Sequence, residues 1–158
     1  MHKLTTFLWF DRNAEEAARF YVSVFRNAKM GGIMRYSEAG PRPKGEVMTA
    51  TFELFGQEFV SLNGGPEYQF TPAVSFMVEC ETQDELDSYW DKLAADGGKP
   101  IQCGWITDKY GVTWQIIPKI LLPMLQDKDG ARATRVTCAM FGMVKLDFAG
   151  LKRAYEAE

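Results

Sequence analysis

Few residues in this 158-residue chain have the chemistry of catalysts, and their spacing narrows them further. The single histidine, His2, stands in a terminal segment expected to fray, so one chain cannot assemble a histidine triad or a multi-histidine metal site. Cys80, Cys103 and Cys138 are far apart and odd in number, which predicts neither a disulfide framework nor a CxxC metal site. They read as small buried or half-buried thiols in a reducing compartment. Cys103, beside Gly104 and Trp105 in a strand-edge loop, is the one placed to react. Asp108 and Glu79 are candidate general bases, although a turn aspartate next to Lys109 is expected to be solvated. Glu67 and Tyr68 lie on a loop between two halves of the chain, placed to close over a ligand. None of these forms a pair at the spacing that acid–base catalysis requires. Gly64-Gly65-Pro66 leads into a Phe-Thr-Pro loop rather than a helix, so it lacks the cradle of a methyl-donor nucleotide.

The elements that must position these residues follow from periodicity. Thr5 to Phe10 is rich in branched and aromatic residues and reads as a strand. Asp11-Arg12-Asn13 breaks it, with Asn13 as expected N-cap and Glu15 and Glu16 in the first helical turn, where acids suit the helix dipole. Ala17, Ala18, Phe20, Tyr21, Val24 and Phe25 follow helical spacing, and Gly31-Gly32 is expected to close that segment. Ile33 to Tyr36 is a second strand. Val47–Leu54 and Glu58–Leu62 form a hairpin turning at Phe55-Gly56-Gln57, beyond a loop from Gly40 to Gly45.

The order β-α-β-β-β then begins again. Val74 to Val78 is a strand and Thr82 an N-cap; Leu86, Tyr89, Trp90 and Leu93 form the apolar face of a helix ended by Gly97-Gly98. Ile101 and Trp105-Ile106 lie in short strands, and Val112 to Ile117 is the last. Ala14-Glu15-Glu16-Ala17 lies over Gln83-Asp84-Glu85-Leu86, and Phe20-Tyr21 over Tyr89-Trp90. Internal duplication explains this best; a single ferredoxin-like domain with an extra hairpin is the alternative. The expected divisions are a first module over 1–66, a second over 67–118 and a helical extension over 119–158. In the extension, Ala131 to Lys145 has helical spacing with Ala139, Met140, Met143 and Val144 on one face, and Asp147 caps a last helix through Tyr155.

The net charge of −3 argues against nucleic acid or an anionic membrane as partner, since both reward a basic face. No apolar run approaches the roughly 20 residues of a membrane span, and the N-terminus lacks a secretory signal pattern, so a cytoplasmic protein is expected.

Several blocks resemble the PhnB-like family, whose members carry the description 3-demethylubiquinone-9 3-methyltransferase. They are Leu8-Trp9-Phe10 with Glu15-Glu16-Ala17 and Phe20-Tyr21, Leu62-Asn63-Gly64-Gly65-Pro66, Ser75-Phe76-Met77-Val78, and above all Cys103-Gly104-Trp105 through Asp108 to Pro118. The tail, with Ala139-Met140 and Met143 before Lys145-Leu146-Asp147, is similar to a C-terminal helical extension of that family. The resemblance implies an α+β fold: two βαβββ modules of the vicinal-oxygen-chelate superfold of glyoxalases, bleomycin-resistance proteins and dioxygenases. In the superfold the modules curl into a cup, and metal-dependent members hold a divalent ion there through His and Glu side chains. Counted from the Phe-Tyr pair of the first helix, the corresponding positions fall at Thr6, Val60 or Ser61, Ser75 and Gln115, all poor ligands. No metal and no other cofactor is expected.

On that resemblance the cup wall includes Thr6, Leu8, Ser75, Met77, Thr113 and Gln115, with Asn63 and Trp105 near the rim. Either these line a pocket for an aromatic or oxo compound, or Thr6, Ser75 and Gln115 hydrogen-bond one another and fill a closed core. The expected function is metal-free binding of a small molecule by a homodimer; the alternative is an enzyme of the superfold, a lyase, dioxygenase or methyltransferase, acting without the usual ligands.

Overall fold

A computed structural model of the chain describes residues 3–157, so His2 lies outside the described residues. The chain divides between Phe70 and Thr71 into two compact units. In the first, β1 (Thr6–Phe10) leads into α1 (Ala14–Val24), β2 (Ala28–Arg35), β3 (Val47–Leu54) and β4 (Gln57–Asn63). Its sheet has the order β1-β4-β3-β2, with β1 parallel to β4 and the other pairs antiparallel. The Phe55-Gly56 turn of the β3–β4 hairpin has positive φ at both residues (51° and 83°), which suits the twist of a two-residue connection.

A parallel neighbour requires a crossover, and α1 supplies it by lying across one face of the sheet. The helix buries Ala14, Ala17, Ala18, Tyr21 and Val24. Its small residues let the backbones approach, and the Tyr21 ring stacks on Phe52 at 5.7 Å, which stacks on Phe59 at 5.2 Å. Two local expectations are corrected. Gly31-Gly32 do not close α1; they lie inside β2, where the register against β3 shifts between Met30 and Ile33. Phe25, extended after the last helical turn, and Asn27 with φ 51° turn the chain instead. Asn13 makes no side-chain cap. The first amide of α1, Ala14 N–H, donates to Oδ1 of Asn63 at 2.8 Å, from the end of β4.

The second unit repeats the plan: β5 (Ser75–Cys80), α2 (Gln83–Ala94), β6 (Lys99–Pro100), β7 (Trp105–Thr107) and β8 (Thr113–Pro118), in the order β5-β8-β7-β6. Again the first and last strands pair in parallel. Thr82 caps α2 by accepting from Glu85 N–H at 3.2 Å. Leu86, Tyr89, Trp90 and Leu93 of α2 are buried, as are Val78, Cys80, Trp114 and Ile116 of the sheet beneath.

Three helices follow: α3 (Leu121–Leu125), α4 (Gly130–Phe141) and α5 (Phe148–Glu156). Asp129 caps α4 and Asp147 caps α5, accepting from Ala131 N–H and Gly150 N–H. α4 stops short of the expected Lys145, because the Met143 and Val144 carbonyls accept from Cys103 and Gly104 N–H, each at 2.9 Å. Gln83 clasps the next turn, donating to Leu146 C=O at 3.2 Å and accepting from Phe148 N–H at 2.9 Å. Lys145 sits 2.9 Å from Asp87. Partial burial opposes ionisation of Asp87, but hydrogen bonds from Gln83 and Lys145 overcome it and hold the carboxyl below its usual range. Among the described residues no helix is long and apolar enough to cross a membrane.

Asn63 joins β4 to α1 in the first unit and is 5% exposed. Its Oδ1 serves Ala14, its Nδ2 donates to Val47 C=O at 3.0 Å, and its own carbonyl accepts from the Tyr36 hydroxyl at 2.6 Å. Asn63→Ala strands a helix-start donor and a strand carbonyl, and should cost about 2–4 kcal/mol in urea unfolding. A loss below about 0.5 kcal/mol, the size of an ordinary surface substitution, would contradict this role.

Candidate functional site

Strand registration decides which side chains share a face. In the second unit Ser75 lies opposite Thr113, Met77 opposite Gln115, and Gln115 opposite Trp105. Paired residues point the same way and side chains alternate along a strand, so these five occupy the face away from α2. The alternate positions, Phe76, Val78, Trp114, Ile116 and Ile106, form the sealed side, with the Phe76 and Trp114 rings 5.5 Å apart. Five of the eight expected site residues thus come together.

On this open face Gln115 Nε2 donates to Ser75 Oγ at 2.8 Å, and the Thr107 and Thr113 hydroxyls are 3.3 Å apart. Half of the closed-core alternative is therefore present as a bond between Ser75 and Gln115. The face is nonetheless open: Met77 is 47% exposed, and Gln115, Met77 and Trp105 line a cavity of about 440 Å³. Ile117 completes its floor, and Leu122, Leu125, Met140 and Phe141 of the C-terminal helices form the wall. Glu79 follows Met77 on the same face, opposite Ile117, but stands exposed outside the lining.

Thr6, Leu8 and Asn63 belong to the first unit and do not reach its open face. Thr6 pairs with Phe59 and Leu8 with Ser61, so both point to the α1 side, where Leu8 is only 4% exposed. Asn63 lies opposite Phe10 on that side, its amide spent on Ala14 and Val47. The physical reason is one residue of connection. Three residues separate β1 from α1, but only two separate β5 from α2. Superposing the helices therefore puts the first strands one residue out, and a one-residue slip moves every side chain to the other face. Superposing strand ends, Phe10 on Cys80, brings Phe7 over Met77. Phe7, opposite Val60 and 60% exposed, and Trp9 are the true open-face residues of β1. The alternation Phe7 out, Leu8 in was the signal available in the sequence.

Other expected chemistry is absorbed by folding. Asp108 is not solvated: it is 3% exposed, and its carboxylate accepts from Tyr110 and Val112 N–H and from the Trp114 indole at 2.8–3.1 Å. Tyr68 packs edge-on to Trp9 at 5.1 Å, and Trp9 Nε1 donates to Gly65 C=O. A Cβ on Gly64 would stand 2.3 Å from the Trp9 ring, so that glycine makes room for an indole rather than for a phosphate. Cys80 is buried, and desolvation together with the Glu85 charge pushes its thiol up to about 12, which makes it inert. A larger depression of about 820 Å³ on the first unit mixes signs, Arg12 and Arg42 with Glu15, Glu46 and Glu67. Arg42 there is already engaged by Asp11 at 3.2 Å and Glu46 at 3.8 Å.

A divalent ion of the kind held by metal-dependent members of the superfold does not fit these donors. The paired open-face positions are Phe7 with Val60, and Met77 with Gln115, whose amide nitrogen is bound to Ser75. Among the described residues no three His, Cys, Asp or Glu side chains gather as a metal cluster.

The family described as 3-demethylubiquinone-9 3-methyltransferase matches residues 2–117. A Bacillus cereus PhnB protein carrying the same description is 43% identical, with 74% of this chain and 98% of that one covered and a TM-score of 0.66. A Pseudomonas aeruginosa protein shares the fold at 18% identity and a TM-score of 0.60, covering 75% of this chain and 97% of its own. The fosfomycin resistance protein FosX of Mesorhizobium loti does so at 11% identity and 0.52, over 72% and 87%. No curated protein matches the chain. Both units are βαβββ modules of the vicinal-oxygen-chelate fold, and the three C-terminal helices lie beyond the family match.

Asp108→Asn would place an amide N–H₂ against either the Trp114 indole N–H or the loop amides. It should lower stability by about 2–3 kcal/mol while leaving ligand binding by the folded fraction unchanged. A general base would give the reverse: a stable variant with altered function.

Proposed function

Because the chain belongs to the 3-demethylubiquinone-9 3-methyltransferase family, a PhnB-like branch of the vicinal-oxygen-chelate superfold, we propose that it binds a small organic molecule without a metal ion. The ligand lies on the open sheet face of the second module, against Met77, Trp105 and Gln115, with Ser75 and the buried Thr113 supporting them from beside the cavity. The observation that carries this reading is an apolar-walled cavity of about 440 Å³ lined by Gln115, whose amide nitrogen is held by Ser75 just outside the lining. Apolar walls with a few convergent polar groups, in a volume of this order, are the usual make-up of a small-molecule site. Ser75 holds the Gln115 amide nitrogen, which leaves its oxygen to accept from a ligand hydroxyl or N–H.

Methyl transfer, the activity in the family's description, draws no support from this face. The groups that a proton-transfer step would use are engaged elsewhere, Asp108 with Trp114 and the loop amides. Thr6, Leu8 and Asn63 are left as framework residues of the first module. The chain is further proposed to act in the cytoplasm as a homodimer, since Phe7 at 60% exposure and Tyr68 at 68% leave aromatic surface for a second copy to cover.

The binding test is a titration with 2-naphthalenemethanol, followed through the Gln115 side-chain amide and the Trp105 indole in ¹H–¹⁵N spectra, with metal content measured on the same preparation. Saturable shifts of both signals in metal-free protein are expected. One tightly held divalent ion per chain, or shifts at neither group, would end the reading. For the assembly, sedimentation at micromolar concentration should give twice the chain mass, and Phe7→Glu should return it to one. A wild-type monomer refutes the dimer alone.

A further inference from the structure

The second module's pocket is built from two parts of different standing. Its floor, with Met77, Trp105, Gln115 and Ile117, lies within the residues shared with the family. Its wall, from Leu122 and Leu125 of α3 to Met140 and Phe141 of α4, lies wholly beyond them. The wall is held in place by backbone geometry rather than by loose contact. Cys103 and Gly104 N–H donate to Met143 and Val144 carbonyls, and a Cβ on Gly104 (φ 79°) would stand 2.9 Å from the Leu146 side chain. Only glycine permits that approach. The Gln83 clasp fixes the chain just after it.

None of the residues lining this pocket is charged. An ion entering it would lose its hydration and meet no counter-charge, a cost that a neutral molecule avoids. The exposed Glu79 on the same face adds further cost for an anion. The apolar surface is of a particular kind: two thioethers, Met77 and Met140, with the rings of Trp105 and Phe141. Thioethers and aromatic rings both favour a flat aromatic guest through sulfur–ring and edge-to-face contacts.

We infer that the C-terminal extension is a specificity element, whose α3–α4 wall restricts the pocket to uncharged aromatic ligands. This rests on the binding function proposed above and adds the ligand class and the segment that sets it.

The test uses one ring system in three charge states: 2-naphthalenemethanol, 2-naphthoate and 2-naphthylmethylammonium, titrated against the full chain. The alcohol should bind at least tenfold more tightly than either ion. Leu125→Arg adds a cation to the wall and should move the alcohol-to-naphthoate preference at least tenfold towards naphthoate. Phe141→Arg repeats the change at a residue 61% exposed, where folding is undisturbed, and should move it the same way. Equal binding of the three probes overturns the inference. So does an unchanged preference in both folded variants while the alcohol still shifts Gln115 and Trp105, a result that leaves the binding function standing. Binding of none of the probes removes both.

Discussion

In each module the first and last strands of the sheet run side by side in parallel, β1 with β4 and β5 with β8. Parallel neighbours cannot be joined by a hairpin, so the chain must leave the sheet and return, and the helix that follows the first strand takes up that excursion. It lands on one face and seals it with Tyr21 and its alanines in one unit, and with Leu86, Tyr89, Trp90 and Leu93 in the other. The opposite face stays open. Because side chains alternate along a strand, this one constraint assigns the residues of the paired first and last strands to one face or the other. Phe52, Phe59, Trp114 and Ile116 are buried in the core; Phe7, Met77, Gln115 and Trp105 stand on the open faces.

The modules differ in how that open face is finished. In the second, the chain does not leave after β8 but turns at Pro118 and lays three helices against the same unit. Backbone bonds to Cys103 and Gly104 set their height over the sheet, and Leu146, fully buried, locks the return. The result is a pocket with a sheet floor and a helical wall, where the floor alone would be a shallow exposed patch. Polar groups on this sheet face pair with one another, Gln115 with Ser75 and Thr107 with Thr113, so the face holds them without leaving these donors stranded.

The element order, the duplication and the caps at Thr82 and Asp147 were legible because they rest on local signals: periodicity and the chemistry of helix ends. The shared sheet face of the second module was legible for the same reason, since Ser75, Met77, Thr113 and Gln115 occupy alternate positions on two strands. The first module's was not. The two copies differ by one residue between strand and helix, and a comparison anchored on helices carries that difference into the strands as a reversal of faces. Asn63 and Asp108 escaped for another reason. Both are polar residues at the ends of strands, where solvation is the ordinary expectation, and only tertiary packing shows that each is buried with its hydrogen bonds committed. The helical wall was hidden too: Met140 read as one position on the apolar face of a helix, and nothing local says which surface that face covers.

What the pocket can do follows from the groups left to it. The carboxylate nearest a buried setting, Asp108, is consumed by two amides and an indole, and the most buried thiol, Cys80, is held protonated. The paired positions at the centre of each open face offer a phenyl ring, a valine, a thioether and an amide; none moves a proton at neutral pH, and one neutral amide oxygen falls far short of the roughly six or more oxygens a hard cation takes. Recognition must then draw on apolar burial. A two-ring ligand burying about 200–300 Å² of apolar surface gains roughly 5–7 kcal/mol at about 25 cal/mol per Å², before the cost of association is taken from it. That gain alone corresponds to a Kd of about 10–200 μM, so net binding from burial is weaker still. It also assigns Gln115 its part: one hydrogen bond, worth about 1 kcal/mol net when made and more when a ligand leaves a buried group unpaired, selects among aromatic molecules more than it holds them.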